Sequence, residues 1–219
     1  VGKGAQNGVL IKNAEALENM NKINVLITDK TGTITEGKPS VEKVVAFDTF
    51  DEDELLKYGA SLNQYSEHPL AEAVVKYAKL KAIAVVDVKD FEAVAGKGVI
   101  GTISDKKIAL GNKKLMEQAQ AVILPEIEKI ITNEQILGKT VSYIAVDGVI
   151  QGNVTITDAI KTKKKKAIKL LMEQGVEVIM LTGDNHNTAK AVADELHLTN
   201  FKAECLPQDK LNEIKRLQA

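Results

Sequence analysis

Apolar residues in this chain gather into two runs that end on a carboxylate. In "NVLITDKTGTITEG" (24–37), Val25, Leu26 and Ile27 run unbroken into Thr28 and Asp29, followed by small and hydroxylic residues and two glycines. A strand without alternation is expected to be covered on both faces, as in a parallel sheet. "VEVIMLTGDN" (176–185) repeats the arrangement and meets Asp184. Before it, "IKLLMEQG" (168–175) reads as the end of an amphipathic helix with Gly175 as its C-terminal cap. After it, "NTAKAVADELHL" (187–198) places Ala189, Val192, Ala193 and Leu196 at helical spacing. Helix, strand, turn and helix in that order are an α/β signature.

The middle of the chain has another rhythm. "VEKVVAF" (41–47) reads as a strand, and "DEDELLKYGASLNQ" (51–64) as a helix opened by Asp51, with Glu54 completing a capping box. "PLAEAVVKYAKLKA" (69–82) is a second helix, with Pro69 in its first turn. Glycine-punctuated β segments follow over 94–112, then a helix near 125–137. "TVSYIAVDGVIQGNVTI" (140–156) alternates around Asp147–Gly148, a strong hairpin signal. These patterns predict a discontinuous α/β body, residues 1–38 and 157–219, interrupted by an α+β domain over 39–156.

Composition narrows the picture only slightly. The 219 residues are 44% apolar and 27% charged, with a net charge of −1, so nothing points to nucleic acid or another polyanion as partner. One cysteine, Cys205, excludes an internal disulfide. No apolar run approaches the roughly 20 residues needed to cross a bilayer, and the first residues carry no signal-peptide core, so the expectation is a soluble intracellular piece. "KTKKKK" (161–166) reads first as the solvated start of a helix; contact with anionic lipid is the lesser reading.

Asp29 and Asp184 both stand where strands should end, the place where ligands collect in open parallel sheets. Were the two strands neighbours, the carboxylates would share a crevice suited to a divalent cation and a phosphoryl group, with Asp29 a possible nucleophile. Either aspartate alone is more simply a turn cap. By themselves, Lys210 reads as a solvated lysine in a helix's first turn, His68 as a cap before Pro69, and Gly96 and Gly98 as hairpin glycines.

The motifs taken together resemble the P-type ATPases. "DKTGTIT" (29–35) is similar to their phosphorylation motif, "TGDN" (182–185) to a second motif of the same domain, and "PQDK" (207–210) to their P-x-D-K motif, all in the family's order. "SEHPL" (66–70) and "GKGV…GN" (96–112) resemble the nucleotide-domain motifs of the heavy-metal branch, and "VLIKNAEALE" (9–18) the copper-exporting type.

That resemblance implies a haloacid-dehalogenase-like Rossmannoid phosphorylation domain with an inserted antiparallel-sheet nucleotide-binding domain. It implies ATP and Mg²⁺ as cofactors. Asp29 would take the γ-phosphoryl group, and Asp29 and the Thr31 carbonyl would meet Mg²⁺. Thr33 and Thr182 would hydrogen-bond phosphoryl oxygens and Lys210 would place a charge beside them; Lys30, Gly183 and Asp184 complete the catalytic motifs. In the nucleotide domain His68 would pack on adenine with Glu67 in support, and Gly96, Gly98, Gly111 and Asn112 would line the nucleotide.

Thr31 stands where related phosphatases have a second aspartate acting as acid and base, so water attack on the intermediate would be slow. Asn63 stands where many members have an adenine-contacting glutamate, and Ala159 replaces the proline of an Asp-Pro hinge begun by Asp158.

The implied function is ATP hydrolysis coupled through an aspartyl phosphate to copper export, as the cytoplasmic region of a pump in the plasma membrane. The actuator and membrane domains would be its partners, and Cu⁺ would be met only by the membrane helices. The chain stops at "EIKRLQA", before the family's GDGxND motif, so it is expected to be part of a longer pump, binding ATP through 63–112 but accepting phosphate poorly or not at all. Alternative readings are a zinc or cadmium exporter, a soluble phosphatase of the same superfamily, and a catalytically silent nucleotide-binding module.

Overall fold

The structure, a computed structural model, describes residues 2–6, 8–10 and 13–218; within the copper-type segment 9–18, Ile11 and Lys12 lie outside the described residues. Two short helices, α1 (Gly2–Gln6) and α2 (Ala14–Met20), precede β1 (Val25–Asp29). Then come β2 (Ser40–Ala46), α3 (Glu52–Asn63), α4 (Pro69–Leu80), β3 (Lys89–Val94), β4 (Gly98–Ile103), β5 (Lys106–Gly111), α5 (Lys113–Gln118), α6 (Pro125–Ile136), β6 (Thr140–Val146) and β7 (Val149–Thr157). The chain closes with α7 (Thr162–Glu173), β8 (Glu177–Leu181), α8 (His186–Glu195), β9 (Asn200–Lys202) and α9 (Pro207–Gln218).

The strands form two sheets. β1, β8 and β9 make a parallel sheet in that order, and the others an antiparallel sheet in the order β2-β7-β6-β5-β4-β3. In the larger sheet, two-residue periodicity feeds two cores. Ile108, Leu110, Ile144 and Val146 face Leu55, Leu62 and Val74 of α3 and α4, while Ala109, Val141, Tyr143 and Ala145 face Leu115, Met116, Ile127 and Ile131 of α5 and α6. The Asp147–Gly148 turn joins β6 and β7 with both residues at positive φ (49° and 78°), the two-residue geometry its sequence predicts. Asp51 caps α3 by accepting from the Glu54 N–H at 2.8 Å.

The small sheet packs Val178 and Met180 of β8 against Ile34, Ile168, Ala189, Val192, Ala193 and Leu196. Here the expected burial of β1 fails in part. Val25 to Thr28 are only half-buried, because among the described residues β1 has a strand neighbour on one side only, β8. Periodicity also did not announce β3, β9 or α5, which are short or mostly polar.

Two of the glycines singled out for a nucleotide stand where paired strands come close. Gly98 and Gly111 face each other in the β4–β5 register, and a Cβ on Gly98 (φ +143°) would lie 2.2 Å from the Leu110 carbonyl oxygen. We expect Gly98→Ala to cost about 2 kcal/mol or more, read as a lowered urea midpoint, since neither the strand nor the backbone angle can yield.

Candidate functional site

Asp29 ends β1, and the loop after it is shaped by Gly32. Thr31 (φ −72°, ψ 126°) and Gly32 (φ 73°, ψ −18°) form a type II turn, whose third residue needs the positive φ that glycine supplies. The Gly32 N–H donates to the Thr35 hydroxyl, and that hydroxyl donates at 2.6 Å to Asp158. Asp158 also accepts from the Lys38 N–H, and Lys161 donates to the Gly32 carbonyl at 2.9 Å. The two crossings between β1–β2 and β7–α7 are thereby tied together directly beneath the loop.

Parallel pairing of β1 with β8 puts Asp29 level with Leu181, one residue before the Thr182–Asn185 loop. The Lys30 ammonium lies 2.6 Å from Asp184 Oδ2, with only 7% and 10% of the two side chains exposed. Asp184 Oδ2 also accepts from the Thr182 hydroxyl at 2.8 Å, and Oδ1 from the Thr140 hydroxyl at 3.0 Å. Burial alone pushes the Asp184 carboxyl up; the Lys30 charge and the donors from Lys30, Thr182 and Thr140 outweigh it and hold the group below the ordinary aspartate range.

Asp29 is more open, its side chain 47% exposed, and its Oδ1 accepts from the Lys30 N–H at 2.8 Å and pairs with Lys210 at 3.0 Å. Among the described residues nothing engages its Oδ2. A carboxylate oxygen fixed by its twin and open to solvent is suited to nucleophilic attack.

The sequence-derived candidates divide into groups. Asp29, Lys30, Thr182, Asp184 and Lys210 converge at the carboxyl ends of β1 and β8. Thr31, Thr33 and Gly183 are exposed in the adjoining loops. Thr182 is 2% exposed with its hydroxyl turned to Asp184, so in this arrangement it orients a carboxylate rather than presenting itself to a ligand.

His68 caps α4, its Nδ1 accepting from the Leu70 N–H at 3.2 Å, and among the described residues nothing hydrogen-bonds its Nε2. Its surface is open, yet enough protein lies behind the ring for burial to lower its pKa, with Asp184 opposing weakly. That burial favours the neutral form of His68. Glu67 is exposed beside it. Asn63, the last residue of α3, is 5% exposed, and among the described residues its Nδ2 is buried without a hydrogen-bond partner, an orphan donor just before the loop that leads to His68.

Asn112 is occupied structurally: Oδ1 caps α5 through the Leu115 N–H, and Nδ2 donates to the Gly96 carbonyl at 2.8 Å. A Cβ on Gly96 would sit 2.4 Å from Leu206, just ahead of α9, so this turn rests against the small-sheet unit. Thr140 and the Thr35–Asp158 pair were not legible as site residues, because their partners are more than 40 positions distant.

Residues 23–219 match the model of the haloacid dehalogenase-like hydrolase family. A copper-exporting P-type ATPase of Legionella pneumophila is 44% identical over this whole chain, which covers 29% of that protein, and a silver-exporting P-type ATPase of Salmonella typhimurium is 42% identical, with 26% covered. The chain thus spans between a quarter and a third of the length of these relatives. Among solved structures, the catalytic domain of the CPx-ATPase CopB-B superposes with a TM-score of 0.74 at 29% identity, covering 99% of this chain and 75% of that one. A zinc-transporting PIB-type ATPase superposes with a TM-score of 0.63 at 30% identity, covering 98% and 34%.

Proposed function

Because the chain belongs to the haloacid dehalogenase-like hydrolase family and is similar along its whole length to metal-exporting P-type ATPases, we propose that it is the ATP-binding and phosphorylation region of a copper-exporting pump. One observation carries the reading: the β1–β8 pairing gathers Asp29 with Lys210, and Asp184 with Lys30, at one end of one sheet. In this reading residues 1–38 and 157–219 are the phosphorylation domain and 39–156 the nucleotide domain, both on the cytoplasmic side of a membrane protein. No described helix is long and apolar enough to cross a membrane, so the transported ion meets other parts of the pump.

The reaction follows from the charges. ATP stacks its base on neutral His68, with Glu67, Gly96 and the buried Asn63 nearby in sequence or space. The free Asp29 Oδ2 attacks the γ-phosphorus in line, and an O–P bond forms as the bond from phosphorus to the β–γ bridging oxygen breaks. ADP leaves with that electron pair. Lys210, already 3.0 Å from Asp29, offsets the charge on the transferred group. Thr31 offers water no general base, so the acyl phosphate persists.

Mg²⁺ requires hard oxygen donors and accepts one or two protein ligands when phosphates and water complete its shell. The exposed Asp29 carboxylate fits that requirement, and Asp29 and the Thr31 carbonyl would hold the ion; when bound, it neutralises phosphate charge. Asp184 is not free to join them while Lys30, Thr182 and Thr140 occupy its oxygens.

Copper is favoured because relatives named as copper-exporting or copper-transporting match this chain at 39–44% identity. The likeness to a zinc transporter keeps zinc as the second reading. Calorimetric titration with ATP tests the nucleotide assignment. His68→Ala is expected to weaken binding roughly tenfold, the worth of one stacked base. Unchanged affinity in that variant would remove His68 from the base site.

A further inference from the structure

We propose that Thr140 is a positioning residue for Asp184, through which the seating of the six-stranded sheet is reported to the phosphoryl-transfer centre. The proposal rests on the function argued above and adds a residue that the sequence motifs do not contain. Asp184 Oδ2 is held from within its own sheet unit, by Lys30 and Thr182, whereas Oδ1 is held from the other sheet, by the Thr140 hydroxyl at 3.0 Å. Thr140 opens β6, so its place is set by the ladder to β7, where it pairs with Ile156.

Two further contacts fix this corner. The Thr188 hydroxyl in the first turn of α8 donates to the Lys139 carbonyl at 2.7 Å while accepting from Asn185, the residue after Asp184, at 2.8 Å. Gly138 (φ +79°) approaches within 3.8 Å of Ala191 and 3.9 Å of Val192, measured from where its Cβ would stand. The corner Gly138–Thr140 therefore sits on the start of α8 through backbone, hydroxyl and van der Waals contacts at once.

The physical consequence concerns a carboxylate with 10% of its side chain exposed. Such a group needs donors on both oxygens, and Thr140 is the one donor at Oδ1 among the described residues. With Thr140 seated, the plane of the carboxylate is fixed from both sides, and the Lys30 ammonium is held at Oδ2. When the sheets separate, Oδ1 loses its donor and the carboxylate is free to turn about its last bond. The described groups that still touch Asp184 are then Lys30 and Thr182.

Thr140→Val removes the hydroxyl and keeps the shape, and Thr140→Ser restores the hydroxyl. In single-turnover assays of the full-length protein with γ-labelled ATP and Mg²⁺, the valine variant is expected to transfer label to protein roughly ten- to a hundredfold more slowly, as for loss of one hydrogen bond to a charged group. ATP affinity by calorimetry should stay within about twofold, and serine should restore the rate. In NMR spectra the Thr182–Asn185 amides should shift in the valine chain and return in the serine chain. Equal rates in all three chains, or a serine chain as slow as valine, would overturn the proposal. If the unaltered full-length protein takes up no label, the phosphorylation reading fails by itself, and the amide shifts decide on Thr140: unmoved resonances in the valine chain reject it.

Discussion

Lys30→Met is expected to destabilise the fold by about 3–5 kcal/mol at pH 7, because it leaves the Asp184 carboxylate buried without its cation. The two side chains are 2.6 Å apart and almost fully covered, so neither water nor another cation among the described residues replaces the lost partner. The effect has a signed pH dependence. In the unaltered chain Asp184 lies below the ordinary aspartate range, so its contribution is present above about pH 4 and is lost as pH falls through the depressed value. In the methionine chain burial stands unopposed by Lys30 and raises the group. Its penalty is then largest at neutral pH and is relieved as acid protonates it. Urea midpoints at pH 7 and pH 4.5 provide the measurement: a loss under 1 kcal/mol, equal at both, would contradict the buried-pair account.

In the full-length protein, Asp29→Asn should abolish label transfer from γ-labelled ATP while leaving ATP affinity nearly unchanged. The amide retains the hydrogen-bonding shape but has no anionic oxygen to attack phosphorus, a loss of at least ~10³-fold in rate by comparison with other nucleophile deletions. Label on the unaltered full-length protein should survive acid and be released by hydroxylamine, as an acyl phosphate is. Label persisting in the asparagine chain would assign the acceptor elsewhere. Stability separates the two variants: Asp29 is about half exposed, so its amide should cost little where Lys30→Met costs much.

Thr140→Val and Asp29→Asn also report on different parts of one apparatus. The first removes an orienting donor at Asp184 and is repaired by any hydroxyl of similar reach; the second removes the reacting atom and has no such repair.

Local patterns along the chain were enough for the repeated strand-to-carboxylate runs, the helices α3, α4, α7 and α8, and the Asp147–Gly148 hairpin, because each depends on residues a few positions apart. Motif order extended that to Asp29 as the proposed phosphate acceptor, with Asp184 as its companion. Tertiary structure alone decided how those carboxylates are held: Lys30 turns inward to Asp184, Lys210 arrives from α9 at Asp29, and Thr140 reaches Asp184 from the other sheet. It likewise decided that Gly98 and Gly111 stand opposite each other where a Cβ would strike the neighbouring backbone, and that, among the described residues, Asn63 keeps a buried donor unmatched. Strand and helix periodicity is written into neighbouring residues, whereas the partner of a charge or a hydroxyl depends on which distant segment the packed core brings within 3 Å. No rule of spacing along the chain encodes that distance.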